Sequence, residues 1–473
     1  MMYDIVIVGA GIIGTLMARE LSRYRLKTAL IDKESDVANE TSMANSAIVH
    51  TGYDPEDGTL KALLNVRGAE MYPQLCRELG CRIKQTGAYI AACGEEEEAH
   101  LEILADRAER RGIEYAWLSN EEAHIQEPNL SDHVTRVLDF PTTCVIYPWE
   151  VAIAAAETAV KNGTELYLNH ACTGIDRTET GYVVHTKDRD LETKMIINCA
   201  GIFADELYAM VGTPDFEIKP RKGEYYVLDN TVHFVKHIVF PVPSAKGKGV
   251  LAVPTVYGNT LIGPNSDFSD PEITTTAEGL AYVRENITKT LKNIPLNMSI
   301  RTFAGLRPSG SRGDFIIEEA KDAPGFINIA GIESPGLASA PAIVEYAIEN
   351  LIRPKTALEI NEDAVMTRER PVVMSELSEE ERTEMIRRDP RYANIVCRCE
   401  QISEGEVVDC INRPCGARTV KGVKKRVRPG MGRCQGGFCE PKVLAILSRE
   451  LGIPMTEVVL DAPDSRILIR ENR

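Results

Sequence analysis

The stretch from Tyr3 to Asp32 constrains the fold more tightly than any other part of this chain. Tyr3-Asp4-Ile5-Val6-Ile7-Val8 is a largely β-branched run of the kind that forms a strand buried in a parallel sheet. Gly9-Ala10-Gly11-Ile12-Ile13-Gly14 follows, and the apolar spacing of Ile12, Ile13, Leu16, Met17 and Leu21 predicts a helix lying on that strand. Lys27 to Asp32 predicts a second strand. In such a βαβ unit Gly9 permits the tight turn, Gly11 lets the backbone approach a pyrophosphate, and Gly14 lets helix and strand pack closely. The helix N-terminus offers free N–H groups and a positive dipole end to phosphates. Asp32 stands 18 residues after Gly14, where a carboxylate accepts bonds from ribose hydroxyls. With strand, helix, second strand and acid all in place, the pattern predicts a bound dinucleotide rather than an ordinary glycine-rich turn. It does not separate FAD from NAD.

Later segments extend the same sheet. Ile196-Ile197-Asn198-Cys199-Ala200-Gly201 and Phe326-Ile327-Asn328-Ile329-Ala330-Gly331 are strand-like runs that end on glycine, as the first does. A helix is predicted from Ala342, after Ile332 to Pro341. Strands this far apart in sequence predict one parallel sheet assembled from distant segments, with ligands at its carboxyl ends. Glu40 to Tyr53 is rich in small polar residues, which suits a loop beside a large flat ligand.

At 473 residues the chain has room for two to four domains, and 44% hydrophobic residues suffice for full cores. A net charge of −16 fits a soluble protein and argues against nucleic acid, whose phosphates need a basic surface. No run of about 18 apolar residues predicts a membrane span. Met1-Met2-Tyr3-Asp4 lacks the basic start of a signal peptide, so a reducing cytoplasm is expected and the 12 cysteines should be thiols, buried or ligating.

Four cysteines near the C-terminus carry a second chemistry. Cys397 and Cys399 sit in Val-Cys-Arg-Cys-Glu, and Cys434 and Cys439 in Arg-Cys-Gln-Gly-Gly-Phe-Cys-Glu. C-x-C in an extended segment puts both thiolates on one face, whereas zinc knuckles more often use C-x2-C. Glycines in the second loop let backbone N–H groups approach sulfides. Four thiolates in this pattern favour a [2Fe-2S] cluster over zinc or an unmetallated thiol set. Cys410 and Cys415, also four apart, flank a helix end and read as packing residues, as do the six remaining cysteines, Cys144 and Cys199 among them.

Several motifs carry a resemblance. Asn45-Ser46-Ala47-Ile48-Val49-His50-Thr51-Gly52, Asn198 to Gly201 with Asp205, Pro220-Arg221-Lys222-Gly223-Glu224-Tyr225 and Gly305-Leu306-Arg307-Pro308 resemble the glycine/D-amino-acid oxidase family of FAD enzymes over residues 1 to about 350. Within it the likeness is to glycerol-3-phosphate dehydrogenases and oxidases and to L-2-hydroxyglutarate oxidases. Residues 395 to 440 resemble the [2Fe-2S] domain named after bacterioferritin-associated ferredoxin, and the two parts together resemble the catalytic A subunits of anaerobic glycerol-3-phosphate dehydrogenases.

The resemblance implies an α/β FAD-binding Rossmann-like domain at residues 1–85, 145–215 and 311–353. It implies an α+β substrate domain of mostly antiparallel sheet at 86–144 and 216–310, a linker at 354–392, a small helical [2Fe-2S] domain at 393–457, and a tail at 458–473. FAD would be held by Gly9, Gly11, Ile12, Ile13, Gly14, Asp32, Lys33, Thr41, Ser42, Asn45, Ser46, Ala200, Gly201, Gly305, Gly331, Gly336, Leu337, Ala338 and Ser339. His50 is the implied base, a role that suits its ordinary pKa; the plainer reading is a histidine that only hydrogen-bonds flavin or backbone. Arg307 would grip an anionic substrate through two bonds, with Arg221, Lys222 and Ser334 as further contacts. Cys397, Cys399, Cys434 and Cys439 would hold the cluster. The implied reaction is oxidation of sn-glycerol 3-phosphate to dihydroxyacetone phosphate, with electrons leaving through the cluster to a redox partner and any membrane contact peripheral. Oxidation of a 2-hydroxyacid or amine on the same fold, and a non-catalytic electron-transfer subunit, are the alternatives; one arginine does not separate phosphate from carboxylate.

The remaining stretches read simply. Tyr225–Leu228, Ile238–Phe240, Val250–Val253 and Thr260–Gly263 predict strands, Thr276–Leu291 a helix, and Glu95–Glu98 the acidic first turn of a surface helix. His100, His124, His133 and His170 read as surface residues. Residues 368–389 alternate in charge and predict one solvated helix in the linker. Arg418 to Arg433 holds seven basic residues and no acid, which suits cations near an anionic cluster or a dock for an acidic redox partner.

Overall fold

The computed structural model describes residues 2–243, 249–268 and 272–470. Strand β1 (Tyr3–Val8) lies at the centre of the first sheet, followed by helix α1 (Ile12–Leu21) and strand β2 (Thr28–Ile31). β1 pairs in parallel with β2 on one side and with β3 (Asp190–Asn198) on the other. The carboxyl half of β3 pairs in parallel with β4 (Phe326–Ala330), in the register Ile196↔Phe326 and Asn198↔Asn328. Three segments far apart in the chain therefore join one sheet, and their glycine-ended termini come together.

Burial explains why β1 reads as a continuous apolar run. Ile5 and Ile7 pack with α1, with α2 (Leu60–Leu79), α3 (Pro148–Lys161) and α4 (Gly336–Ala347). Val6 and Val8 face the opposite layer, with Leu207, Phe216 and Ile218. Alternate side chains of a strand point to opposite faces, so a strand covered on both must be apolar throughout.

The second sheet runs in the order Ser299–Gly310, Ile218–Leu228, Thr260–Gly263, Leu251–Pro254, Ile238–Pro241, Ala88–Ala92, Arg136–Asp139, Ala116–Ser119. It is antiparallel except where Ile238–Pro241 meets Ala88–Ala92. The strands at 88–92, 116–119 and 136–139 carry no turn signal strong enough to have been predicted. Helix Glu95–Arg110 opens with four glutamates, as expected, and Ala277–Asn286 forms most of the other predicted helix.

The segment 354–392 contains the predicted exposed helix, Glu379–Arg388. Its first part is nonetheless strapped across the helices of the first domain. The Arg25 N–H donates to the Glu359 carbonyl at 2.8 Å, the Arg368 N–H to Glu78 at 2.8 Å, and the Arg19 guanidinium to the Met366 carbonyl at 2.8 Å. The C-terminal unit pairs Ile395–Cys397 with Ile402–Ser403. It packs Val407, Ile411, Val423, Val443 and Leu447 from three helices, among them α5 (Val420–Val427) and α6 (Glu440–Leu451), into its own core. No helix among the described residues is long and apolar enough to cross a membrane.

Candidate active site

The turn after β1 shows why its glycines are needed. Gly9 has φ +105°, and a Cβ there would sit 2.3 Å from the Cys199 carbonyl oxygen at the end of β3. A Cβ on Gly14 would sit 1.9 Å from the Gly9 carbonyl oxygen. Gly11 precedes α1 without a side-chain cap of its own; the Ile12 N–H donates instead to Ser42 Oγ at 2.8 Å. Asp32 accepts the Ala10 N–H at 2.5 Å and the Glu34 N–H at 2.8 Å. Burial pushes its carboxyl up, against the pull of those two N–H groups.

These residues line one end of a cavity of about 1560 Å³. Gly9, Gly11, Ile12, Ile13, Asp32, Thr41, Ser42, Asn45, Ser46, Ala200, Gly201, Gly331, Gly336 and Leu337 all border it. Lys33 is at the rim, its ammonium held by Glu34 at 2.5 Å and Glu40 at 2.7 Å. The 41–46 loop is fixed from within and from the second sheet. The Asn45 amide donates to the Thr41 and Ser42 carbonyls, Thr41 Oγ1 donates to the Leu306 carbonyl at 2.6 Å, and Ser46 Oγ meets the Tyr225 hydroxyl at 3.0 Å.

Four of the residues expected to hold FAD do not border the cavity, and each has a packing reason. Gly14 lies beneath the turn, against Gly9. Gly305 receives the Ala44 carbonyl, 2.0 Å from where its Cβ would be. Ala338 and Ser339 are fully buried; the Ala338 carbonyl lies 2.2 Å from the Cβ position of Gly68 on α2, and the Ser339 hydroxyl donates to Pro335 at 3.2 Å. His100 and His170, read as surface residues, border the cavity.

His50, Arg221, Arg307 and Ser334 border the same cavity. His50 is buried, its ring 5.6 Å from that of Phe240, and its carbonyl accepts from the Asn65 amide at 2.6 Å. Arg221 and Arg307 are direct partners across the antiparallel pair of strands Ile218–Leu228 and Ser299–Gly310. The Arg307 side chain lies over Gly223, whose Cβ position is 2.7 Å from Nη2. Burial lowers the pKa of Arg221; Glu333 opposes that, and the charge of Arg307 adds to it. Lys222 does not join them. As the next residue in the strand it faces the other way, 1% exposed, with Nζ 3.5 Å from Glu224. Glu333 and Lys61 were missed by sequence reasoning; Glu333 adjoins Ser334 in the loop before α4, but nothing in the sequence pairs it with Lys61.

The four C-terminal cysteines form two pairs. Cys397 and Cys439 are each 2% exposed, and the neighbouring Cys439 thiol pulls the pKa of Cys397 down while Cys397 pushes that of Cys439 up. Cys399 is exposed, with its sulfur 3.7 Å from that of Cys434. Cys410 and Cys415 are buried, as expected of packing residues, whereas Cys81, Cys93, Cys144 and Cys172 are only half-buried.

Residues 4–349 match the family model described as FAD dependent oxidoreductase, and residues 395–449 match that of the BFD-like [2Fe-2S] binding domain. The chain belongs to the FAD-dependent oxidoreductases. Over 471 residues, 99% of this chain and 98% of the relative, it is 48% identical to a glycerol 3-phosphate dehydrogenase of Caloramator mitchellensis. A glycerol 3-phosphate oxidase of Mycoplasma pneumoniae is 34% identical over 74% of this chain and 94% of its own length. The solved structure of a dithionite-reduced L-alpha-glycerophosphate oxidase from the same organism, with FAD bound, superposes with a TM-score of 0.75 at 32% identity, covering 79% of this chain and all of that one.

The enzyme's own residues fit both cofactors, FAD and a [2Fe-2S] cluster. Pockets for drug-sized ligands hold about 300–1,000 Å³; the larger cavity here has room for a dinucleotide and a small substrate together. For the cluster, two thiolates on one tetrahedral metal lie about 3.8 Å apart when each bond is about 2.3 Å, close to the Cys399–Cys434 separation of 3.7 Å. With Cys397 and Cys439 in the same unit, the four cysteines supply the four thiolates that a [2Fe-2S] cluster takes.

Within the basic stretch 418–433, Lys425, Arg426 and Arg428 turn inward, while Arg418 and Arg433 stay exposed. On α5, Arg426 holds Asp36 through two bonds of 2.6 and 2.8 Å. Lys425 Nζ lies 3.1 Å from the same carboxylate and donates to the Val37 carbonyl and Asn39 Oδ1. Arg428 pairs with Glu400 and covers the Tyr257 ring, and Arg433 pairs with Asp229 at 2.8 Å. Of the two roles expected for this stretch, cations near the cluster or a dock for an acidic partner, the second is corrected for Lys425, Arg426 and Arg428: they dock the cluster domain on the rest of the chain. Asp36 lies between Asp32 and Thr41, so the docking point is in the loop that borders the cavity.

Proposed function

We propose that this enzyme oxidises sn-glycerol 3-phosphate to dihydroxyacetone phosphate. The observation that carries the reading is the pair Arg221–Arg307 in register, facing the cavity that His50 also borders. Two half-buried guanidiniums side by side repel one another and present donors to a ligand able to bond both. A phosphate monoester, with close to two negative charges at pH 7, meets that demand better than a carboxylate. With the phosphate held there, an imidazole nitrogen of His50 takes the proton of the substrate hydroxyl as the adjacent C–H bond gives up a hydride. Bound FAD supplies the two-electron acceptor, and the cluster a one-electron carrier. Ser334 and the N–H groups at the start of α4 border the same space and orient what binds there. The names of the two glycerol 3-phosphate relatives support this reading.

The Cys399–Cys434 side of the cluster site faces solvent while Cys397 and Cys439 are buried, which supports electron delivery to a separate protein at that edge. Steady-state assays with an artificial acceptor test the substrate. Turnover of sn-glycerol 3-phosphate with weak or no turnover of L-2-hydroxyglutarate is expected, and the reverse order would reject the proposal.

A further inference from the structure

We propose that Glu333 is a positioning residue: it holds Arg221 beside Arg307 and so makes the anion site selective for a doubly charged phosphate. This rests on the reading of the two arginines as the phosphate clamp.

The arginines cannot hold that arrangement by themselves. Each is a permanent cation, they are cross-strand partners, and like charges directly opposite destabilise a sheet. A counter-charge is required, and Glu333 provides it from the loop between β4 and α4. One carboxylate oxygen, Oε2, lies 3.5 Å from Arg221 Nη2; the other lies 3.0 Å from Lys61 Nζ. The exposures of Glu333, Lys61 and Arg221 are 12%, 14% and 25%, so solvent screens this chain of charges little.

The geometry is that of a tether rather than a closed pair. At 3.5 Å the Arg221–Glu333 contact is too long to be a strong hydrogen bond, and neither Glu333 Oε2 nor Arg221 Nε has a hydrogen-bond partner. The donors of Arg221 therefore remain available to a ligand. Both ends of the tether are anchored. The Glu333 N–H donates to Gly331, and its carbonyl accepts the Gly336 N–H at 2.6 Å. Lys61 also donates to the Gly313 carbonyl at 2.8 Å, and Asp314 accepts the Leu60 and Lys61 N–H groups at 2.7 and 3.0 Å. Three cations and one carboxylate leave the group two positive charges, which a phosphate dianion neutralises and a carboxylate does not.

The test uses the holoenzyme and inorganic phosphate as the probe, with Glu333→Gln and Glu333→Asp compared at equal flavin content. In the parent enzyme, phosphate should compete with sn-glycerol 3-phosphate. If it does not, the clamp reading fails first. Given competition, Glu333→Gln should raise both KM and the phosphate inhibition constant by about tenfold or more. Its kcat should stay within about twofold, and Glu333→Asp should recover part of the loss. Unchanged constants overturn the role of Glu333 alone. So does a phosphate constant that falls, since removing one negative charge would do that if Glu333 merely opposed anions, and so does a loss confined to kcat.

Discussion

Replacing Asp36 by Asn should loosen the cluster domain from the flavin domain while leaving in place the side chains that border the cavity and the four cluster cysteines. The Asp36 carboxylate is 5% exposed and faces Lys425 and Arg426, whose side chains are 1% and 3% exposed. Breaking a buried ion pair by removing one partner costs about 3–5 kcal/mol, because the other charge stays buried. Here the low end applies. Arg426 keeps the Cys415 and Gly422 carbonyls, and Lys425 keeps Val37 and Asn39. About 3 kcal/mol raises the population of undocked enzyme about 150-fold. Limited proteolysis in the 354–392 segment and rapid-mixing measurement of cluster reduction after substrate addition read that population. Flavin reduction should keep its rate while cluster reduction slows and cleavage accelerates. Wild-type behaviour in both assays would refute the reasoning, by showing that the apolar contacts alone hold the domains. The pH dependence has a definite sign. Burial alone would raise the Asp36 carboxyl, but Arg426 and Lys425 together hold it well below the usual carboxylate range. A depressed folded-state pKa contributes stability that is present above about pH 4 and lost as pH falls through the lower folded value. The parent should therefore stay docked at pH 5, and the pH 5 to 7 stability difference between parent and Asp36→Asn should be flat.

Arg307→Lys keeps the charge but loses the planar fork, and should lower kcat/KM for sn-glycerol 3-phosphate about 10- to 100-fold, measured by steady-state kinetics; an unchanged value would place the phosphate elsewhere. His50→Gln should lower kcat by about 10²–10⁴ and remove the acidic limb of the pH–rate profile, whereas a structural histidine would leave the profile's shape intact. Gly9→Ala forces a Cβ to within 2.3 Å of the Cys199 carbonyl at φ +105°, so the purified variant should lose flavin absorbance and melt at a lower temperature. Cys399→Ser should abolish the cluster's electron paramagnetic resonance signal after reduction while substrate still bleaches the flavin.

What was legible in the sequence was whatever local pattern and covalent spacing decide. The β1–turn–α1 fingerprint is such a pattern, because the Gly9 and Gly14 contacts with neighbouring backbone follow from a turn only these residues can make. The cysteine spacings also revealed a cluster domain, although which sulfurs pair came only from the structure. Strand parity separates two of the basic residues: Arg221 and Lys222 are adjacent in an extended strand, so at most one can face the cavity. Ala338 and Ser339 do not border the cavity for a comparable reason, since the side of α4 that they occupy packs against α2. The basic stretch misled because seven cations in sequence look like a surface, whereas Asp36, some 390 positions away, supplies the counter-charge that buries two of them. Glu333 and Lys61 likewise depend on contacts between segments far apart in the chain.

The central claim is that a phosphate-bearing alcohol delivers its electrons to the flavin and that the cluster follows. An anaerobic rapid-mixing titration of the purified holoenzyme with sn-glycerol 3-phosphate tests it directly, with the flavin followed by absorbance and the cluster by freeze-quench electron paramagnetic resonance. Flavin bleaching first and cluster reduction second, with no comparable bleaching by L-2-hydroxyglutarate, is the predicted result. No bleaching by sn-glycerol 3-phosphate, while dithionite reduces both centres, would contradict the account.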